Sequence, residues 1–498
     1  MSVIGTVFLL YLVILAGLAL WSRRETHTMS GYFIAGKKLP PWVVAFSTNA
    51  TGESGWLLLG LTGMGYAAGA QAFWVVAGEV VGIALAWLLL SRRIKRLSDE
   101  SDSITVPDVL AARFNDRSHI LRKLSILIIL VMVGAYVAAQ MVATGKAFSG
   151  FTELSYSSGV LLGAAVIIVY TLVGGYKAVA WTDLIQGILM LLGLIIVPLI
   201  AIEAAGGWQA VTTNLHNQDP GLLTPWGPDG KSTAALVGII SFLAIGLPFM
   251  GVPQLMVRFM SARSEKSLVP AMAISITVIL LFDLGAVLTG MAGRALFPGL
   301  EDPETILPVI STSLLHPVLG GIMMVVVLAA IMSTVDSLLI LASSAVVRDY
   351  WQQVRGSLPG GQVLSDQALT QRGKLVTLII GIIGVAFALH QTPLIFWFVL
   401  FAWSGLGAAF GPVLLCAVWY PKTNLAGAVA GMMGGFLTTV AWVLWLKPYF
   451  YDLLEIIPGF VVGLLLTIAI SNISSSNGSS SNGSNTTASK IPERIRRE

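Results

Sequence analysis

The chain has 498 residues, 56% of them hydrophobic and only 11% charged, whereas soluble domains carry about a quarter charged residues. Mean hydropathy is +0.83, which excludes a soluble domain and indicates a polytopic membrane protein. One Cys, five scattered His and a net charge of +4 give no support to a disulfide framework, a thiolate or His-paired zinc site, or a nucleic-acid surface.

Taking about 20 apolar residues as one crossing, the sequence predicts about thirteen spans. They lie near 3–22, 40–69, 72–91, 124–145, 156–174, 181–203, 233–255, 267–293, 308–346, 373–390, 393–418, 424–446 and 449–470. The first lacks a basic leader and is too long for a cleaved signal, so it reads as a spanning helix. With the amino terminus outside, every Lys and Arg except Lys146, Lys231, Arg294 and Lys447 falls on the inner side. That set includes Arg23, Arg24, Lys37, Lys38, the cluster Arg92 to Arg96, Arg258, Arg263, Arg348 and Lys422. The asymmetry orients the protein in the lipid bilayer, and an odd number of spans then leaves the carboxyl terminus inside. The charge of +4 therefore reflects loop placement.

The stretches 92–123 and 204–232 read as surface loops with short helices; the second holds Asp219-Pro220-Gly221 and Trp226-Gly227-Pro228-Asp229-Gly230. Residues 1–470 form one transmembrane domain, and 471–498, where Ser, Asn, Gly and Thr dominate, form a flexible tail.

The second span is interrupted by Ala50-Thr51-Gly52-Glu53-Ser54-Gly55-Trp56, and the seventh by Gly246-Leu247-Pro248-Phe249-Met250-Gly251-Val252-Pro253. Each break frees backbone N–H and C=O groups that need partners in protein, water, ion or ligand. A kinked helix is the plain alternative for either break alone. Their separation by five spans, an odd number, means that the second unit enters the membrane from the opposite side. That is the mark of an inverted repeat, with spans two to six (39–203) and seven to eleven (233–418) as its halves and 1–22 and 424–470 peripheral.

The ninth span contains Leu328 to Leu339, in which Ala330, Ser333 and Thr334 stand at i, i+3 and i+4, and Ser333, Asp336 and Ser337 repeat that spacing. Hydroxyl, carbonyl and carboxylate oxygens suit a small hard cation. The alternative is that the hydroxyls bond back to carbonyls of their own helix and Asp336 sits near a wet helix end. A buried membrane acid costs about 3 kcal/mol on insertion scales and usually marks an ion or solute path, which favours the ion site.

The chain resembles the sodium:solute symporter family over roughly 30–470. The resemblance rests on Tyr32-Phe33-Ile34-Ala35-Gly36, Ser54-Gly55-Trp56, Ile104-Thr105-Val106-Pro107-Asp108, Trp181-Thr182-Asp183, Arg258-Phe259-Met260, Met332-Ser333-Thr334, Ala402-Trp403-Ser404-Gly405, Gly407 to Pro412 and Glu455 to Phe460, in that order. It implies an all-α membrane protein of about 13 helices with a five-plus-five inverted repeat, the LeuT-like fold. It also implies Na+ as coupling ion, held by backbone oxygens of Ala50, Glu53 and Ala330 and the hydroxyls of Ser333 and Thr334. A second sodium, found in some members, would use Asp183, Ser333, Asp336 and Ser337. For Asp183 the alternative is a cap at an inner helix end. Solute contacts implied are Ser54, Gly55, Tyr136, Ile245, Phe249 and Pro253; a packing role is the alternative for Tyr136.

Bacterial sodium/proline symporters within the family carry an Asp where this chain has Gly52, with Glu53 one position later. They also carry Trp and Tyr where this chain has Ile245 and Phe249. The expected activity is sodium-driven import of a small zwitterion, proline or a related amino acid, across a bacterial cytoplasmic membrane. The alternatives are a family symporter for another solute, such as an organic acid or sugar, and a transporter-like sensor or binding module without turnover. No nucleophile and base pair in the spans suggests an enzyme.

Overall fold

The computed structural model describes residues 3–22, 28–357, 364–390 and 395–481, and all of its regular elements are helices. The first half of the chain comprises α1 (Val3–Ser22), α2 (Met29–Ile34), α3 (Pro41–Gly55), α4 (Thr62–Ala68), α5 (Phe73–Ala86), α6 (Arg92–Glu100), α7 (Val106–Phe114), α8 (Ile120–Phe151) and α9 (Tyr156–Ala204). After the loop helix α10 (Trp208–Gln218) come α11 (Thr233–Ala244), α12 (Pro253–Ser261), α13 (Leu268–Leu296), α14 (Ile306–Leu314), α15 (Pro317–Ser344), α16 (Asp366–His390) and α17 (Ile395–Trp419). Two peripheral helices, α18 (Leu425–Ala441) and α19 (Ile456–Ser481), pack chiefly on each other and on α17.

Helix starts carry residues that satisfy the first free N–H groups. Thr105 Oγ1 accepts from Asp108 N at 3.1 Å, Ser232 Oγ from Ala235 N at 3.0 Å, and Asn424 Oδ1 from Gly427 N at 3.0 Å. Pro41, Pro253 and Pro317 open α3, α12 and α15, where a missing N–H costs nothing.

Both expected breaks are present. Between α3 and α4 the chain passes through Ser54, at φ 58 and ψ −168, and a widened turn over Trp56–Leu61. Between α11 and α12 it makes a tight turn over Leu247–Met250. The far end of α12 is tied to the start of α3 by Leu39 N to Ser261 O and Arg263 N to Leu39 O, both 3.1 Å. Glycines let neighbours approach the second break closely: Gly78 and Gly82 of α5 lie against the backbone of Phe242, Leu243 and Gly246, and Gly407 of α17 against Pro248. A Cβ at any of these would meet backbone, so they set the depth at which the break is held.

The fifth and sixth expected spans form the continuous helical stretch α9, broken by a kink at Gly175 (φ 63). Among the described residues eleven helical stretches are long and apolar enough to cross a membrane, against about thirteen expected. The difference has two sources. Residues Pro41–Glu100 count as one stretch although Gly69 (φ 59) turns the chain within it, and Tyr156–Leu172 is apolar but short. The last helix runs to Ser481, past the expected boundary at 470. The extra turns are held by Ser471 and Ser474, which accept from Asn424 Nδ2 at 3.0 and 2.7 Å. Residues 482–498 of the expected tail, with Arg23 and Arg24, lie outside the described residues.

At the centre stands α15, buried at every residue from Met323 to Ser344 and packed on α1, α3, α8, α9 and α16. A polar face on such a helix can serve only its neighbours or a bound ion.

Candidate functional site

The hydroxyl face of α15 meets the first break. Ser333 Oγ lies 2.8 Å from Ala50 O and 2.9 Å from Ala330 O, and Thr334 Oγ1 lies 3.0 Å from Thr51 O. All of these residues are fully buried. The two hydroxyls donate hydrogen bonds to these carbonyls, and the same oxygens are of the kind a small hard cation could take as ligands with the hydroxyl protons turned outward. Of the expected ion ligands, Ala50, Ala330, Ser333 and Thr334 are thus together. The Glu53 carbonyl accepts from Trp56 N–H across the break, and Thr51 supplies the carbonyl facing Thr334.

The residues expected at the solute also gather. Ser54 is held left-handed, a conformation costly for any residue with a Cβ. Its hydroxyl is 3.5 Å from Tyr136 Oη and 3.4 Å from Gln140 Nε2, while Gly55 N donates to Gln140 Oε1 at 3.1 Å. Trp403 closes the group. Its ring meets Phe249 edge-on at 5.2 Å and Tyr136 at 6.4 Å, and its indole N–H donates to Ile245 O at 3.2 Å. Pro253 opens α12 on the far side of the second break. Gln140 and Trp403 were not singled out in sequence. Trp403 lay in the family landmark Ala402 to Gly405, while Gln140 carried the only amide in the fourth span.

The second-sodium set requires a correction. Asp183 Oδ2 accepts from Ser47 Oγ at 2.7 Å, Thr51 Oγ1 at 3.3 Å and Arg258 Nη2 at 3.2 Å. Ser337 Oγ is 3.1 Å from Thr51 Oγ1 and also bonds Arg258 Nη2. The guanidinium, 1% exposed, therefore supplies the positive charge among Asp183, Thr51 and Ser337. Asp336 is not among these partners, because one residue along a helix is about 100° of rotation and its carboxylate turns to the Thr171 hydroxyl on α9. Asp183 lies deep within α9 and is not an end cap. Arg258, counted in sequence as one of the inner-side charges, is a buried ion-pair partner; the short landmark Arg258-Phe259-Met260 was the signal available.

The Glu53 side chain meets Glu79 of α5 and Asp283 of α13, and the three can each bring a carboxylate oxygen within 4.8 Å of the others. All three are buried. Glu79 and Asp283 were missed in sequence, although each is a lone acid in an apolar span.

Comparison with known proteins agrees with this architecture. The model of the sodium:solute symporter family matches residues 32–435. A sodium/proline symporter of Staphylococcus aureus is 35% identical over 475 residues, covering 93% of this chain and 91% of that protein. The sodium/proline symporter of strain JH9 is 34% identical over 462 residues, covering 91% and 89%. Among solved structures, a Na+-coupled sialic acid symporter in a substrate-bound outward-open state superposes with a TM-score of 0.77 at 19% identity, covering 95% of this chain and 98% of that one. Mhp1, a nucleobase-cation-symport-1 family transporter, gives 0.56 at 14% identity over 94% and 100%. An all-helical fold with paired broken spans, a family match over most of the length and relatives at this identity lead to one conclusion: the chain belongs to the sodium:solute symporter family and is a sodium-coupled secondary transporter of the LeuT-like fold, not an enzyme.

Proposed function

We propose that this protein imports a small zwitterionic solute, proline or a related amino acid, together with Na+ by alternating access. The observation that carries the reading is the meeting of Ser333 Oγ with Ala50 O and Ala330 O at the first break. The cation is held by Ala50, Thr51, Ala330, Ser333 and Thr334, and the solute by Ser54, Gly55, Tyr136, Gln140 and Trp403 with the Ile245 to Pro253 turn. Ion and solute share the break, so each orders backbone that the other needs, which is the source of coupling. One charge moving down about 100 mV gains about 2.3 kcal/mol before any concentration difference. The amino terminus lies outside and the carboxyl terminus inside, as the Lys and Arg asymmetry indicates.

The reading of proline rests on the names of the relatives and their 34–35% identity over about nine-tenths of the chain. A different solute is favoured by one feature: Phe249 and Ile245 present no indole or phenol at the second break. Labelled proline uptake into proteoliposomes, with an inward Na+ gradient against K+ alone, separates the readings. Gradient-dependent proline uptake is expected; equal uptake in both salts removes sodium coupling, and no uptake with binding of another solute removes proline.

A further inference from the structure

The geometry points to an additional cation site, formed by Glu53, Glu79 and Asp283 and taking a hard metal cation, on the face of the first break opposite Ser333. The proposal deepens the sodium-coupled reading and rests on it for the break's role in transport.

Three helices converge there. Glu53 lies in α3, Glu79 in α5 and Asp283 in α13, exposed by only 1%, 3% and 0%. Glu53 and Glu79 lie within hydrogen-bonding reach of each other, and no other group among the described residues bonds either oxygen of Glu53, either of Asp283 or Oε2 of Glu79. None of the three has a Lys, Arg or His partner among the described residues either. Elsewhere in the bundle the buried acids Asp108, Asp183 and Glu304 each face a cation: Arg122 at 2.6 Å, Arg258 at 3.2 Å and Lys146 at 2.7 Å. An isolated buried carboxylate costs several kcal/mol, and three pointed at one spot repel each other as well. Such an arrangement persists where protons shared between the acids or a bound cation compensate it, and the convergence of three acids on one spot favours the cation.

The spacing fits a metal ion better than an organic ammonium. Oxygens within 4.8 Å of one another can all touch one ion at the 2.3–2.6 Å typical of a hard cation, whose opposite ligands stand about 5 Å apart. Carboxylates only, without sulfur or imidazole, select Na+ or Ca2+ over transition metals. The cluster is also separate from the Ser333 group. Two residues along a helix turn the side chain by about 200°, so Thr51 reaches Asp183 and Ser337 while Glu53 reaches α5 and α13. One break thus presents an oxygen set on each side, and a cation in the acid set would pin α3 to α5 and α13.

The test uses purified full-length protein, with melting temperature and binding of radioactive Na+ and Ca2+ read against KCl. Two saturable components are expected, in Na+ alone or in Na+ and Ca2+ together, and the ion that fills the acid set identifies its source. Glu79→Gln and Asp283→Asn should weaken one component by roughly tenfold or more, the equivalent of losing one ligand, and leave the component sensitive to Thr334→Ala. Wild-type curves for both ions in both acid variants overturn the proposal, as does a single component in the unaltered protein. Stabilisation by an organic amine and by neither metal also overturns it. Where Asp283→Asn does not fold, Glu79→Asp supplies the reading, with weakened affinity and altered Na+ against Ca2+ preference expected and unchanged curves counting against the site. Loss of the Thr334 component alone would defeat the Ser333 site and leave this one standing.

Discussion

The ring of Phe249 stands 3.1 Å, at Cε1, from the point where a Cβ on Gly52 would lie. The two breaks thus meet face to face, and the aromatic ring fills space that a side chain at position 52 would take. A side chain at position 52 and the ring at position 249 therefore compete for one space. We expect Gly52→Asp to lower the melting temperature, equivalent to about 1–3 kcal/mol of overpacking, and Phe249→Ala to restore part of the loss in the double variant. Additive losses would mean that the two positions do not compete for the same space.

Removing an ion ligand should read out as sodium affinity. Ser333→Ala deletes an oxygen shared with Ala50 and Ala330, and Thr334→Ala one facing Thr51. Each should raise the Na+ concentration for half-maximal uptake by about tenfold, the equivalent of about 1.4 kcal/mol. Thr334→Ser, which keeps the hydroxyl, should retain most of the affinity. A sodium dependence equal to wild type in Thr334→Ala would remove that residue from the site.

Much of this geometry was legible in the sequence for physical reasons. Gly and Pro within an apolar span announce a broken helix, and hydroxyls at i, i+3 and i+4 announce a shared face. Ser333 and Thr334 were reached that way, whereas Ala50 was named through the family resemblance. What a single helix cannot reveal is which side chains of different helices meet. Glu79 and Asp283 obey the rule that drew attention to Asp336, that an acid in an apolar span needs a reason. The rule gives no direction, however, and only the packing of α13 against both α3 and α5 turns three lone acids into a group. Arg258 misled for the opposite reason: charge counting assigned it to an inner surface, and its partner Asp183 lies 75 residues away in sequence.

The Arg258 and Asp183 pair is expected to behave as a buried ion pair. Deleting one partner leaves the other charge uncompensated, at about 3–5 kcal/mol, whereas replacing both by apolar residues of similar size costs much less. Arg258→Met and Asp183→Leu should each lower the melting temperature, and the double variant should recover a large part of either loss. Arg258 also bonds Ser47, Thr51 and Ser337, so single variants should alter uptake beyond their effect on stability. Losses that simply add in the double variant would show that the two charges act independently.

Glu304 holds one end of the bundle through two kinds of contact. Its carboxylate accepts from the N–H groups of Ile395 and Phe396, at 3.0 and 2.9 Å, at the start of α17, and pairs with Lys146 of α8 at 2.7 Å. The first is a helix cap provided from a distant loop, whose loss costs about 0.5–2 kcal/mol. The second is a half-buried ion pair shared with Asp302 at 2.9 Å, so Lys146 keeps one partner when Glu304 is removed. Glu304→Gln preserves an acceptor for the N–H groups and removes the charge, whereas Glu304→Ala removes both. Melting temperatures should therefore fall in the order wild type, Gln, Ala, and Lys146→Met should narrow the gap between wild type and Gln. Because α17 carries Trp403 against Phe249 and Tyr136, Glu304→Ala should also weaken solute binding in a ligand-stabilisation assay. Equal melting temperatures for the Gln and Ala variants would mean that the cap contributes nothing and the ion pair alone holds this end of α17.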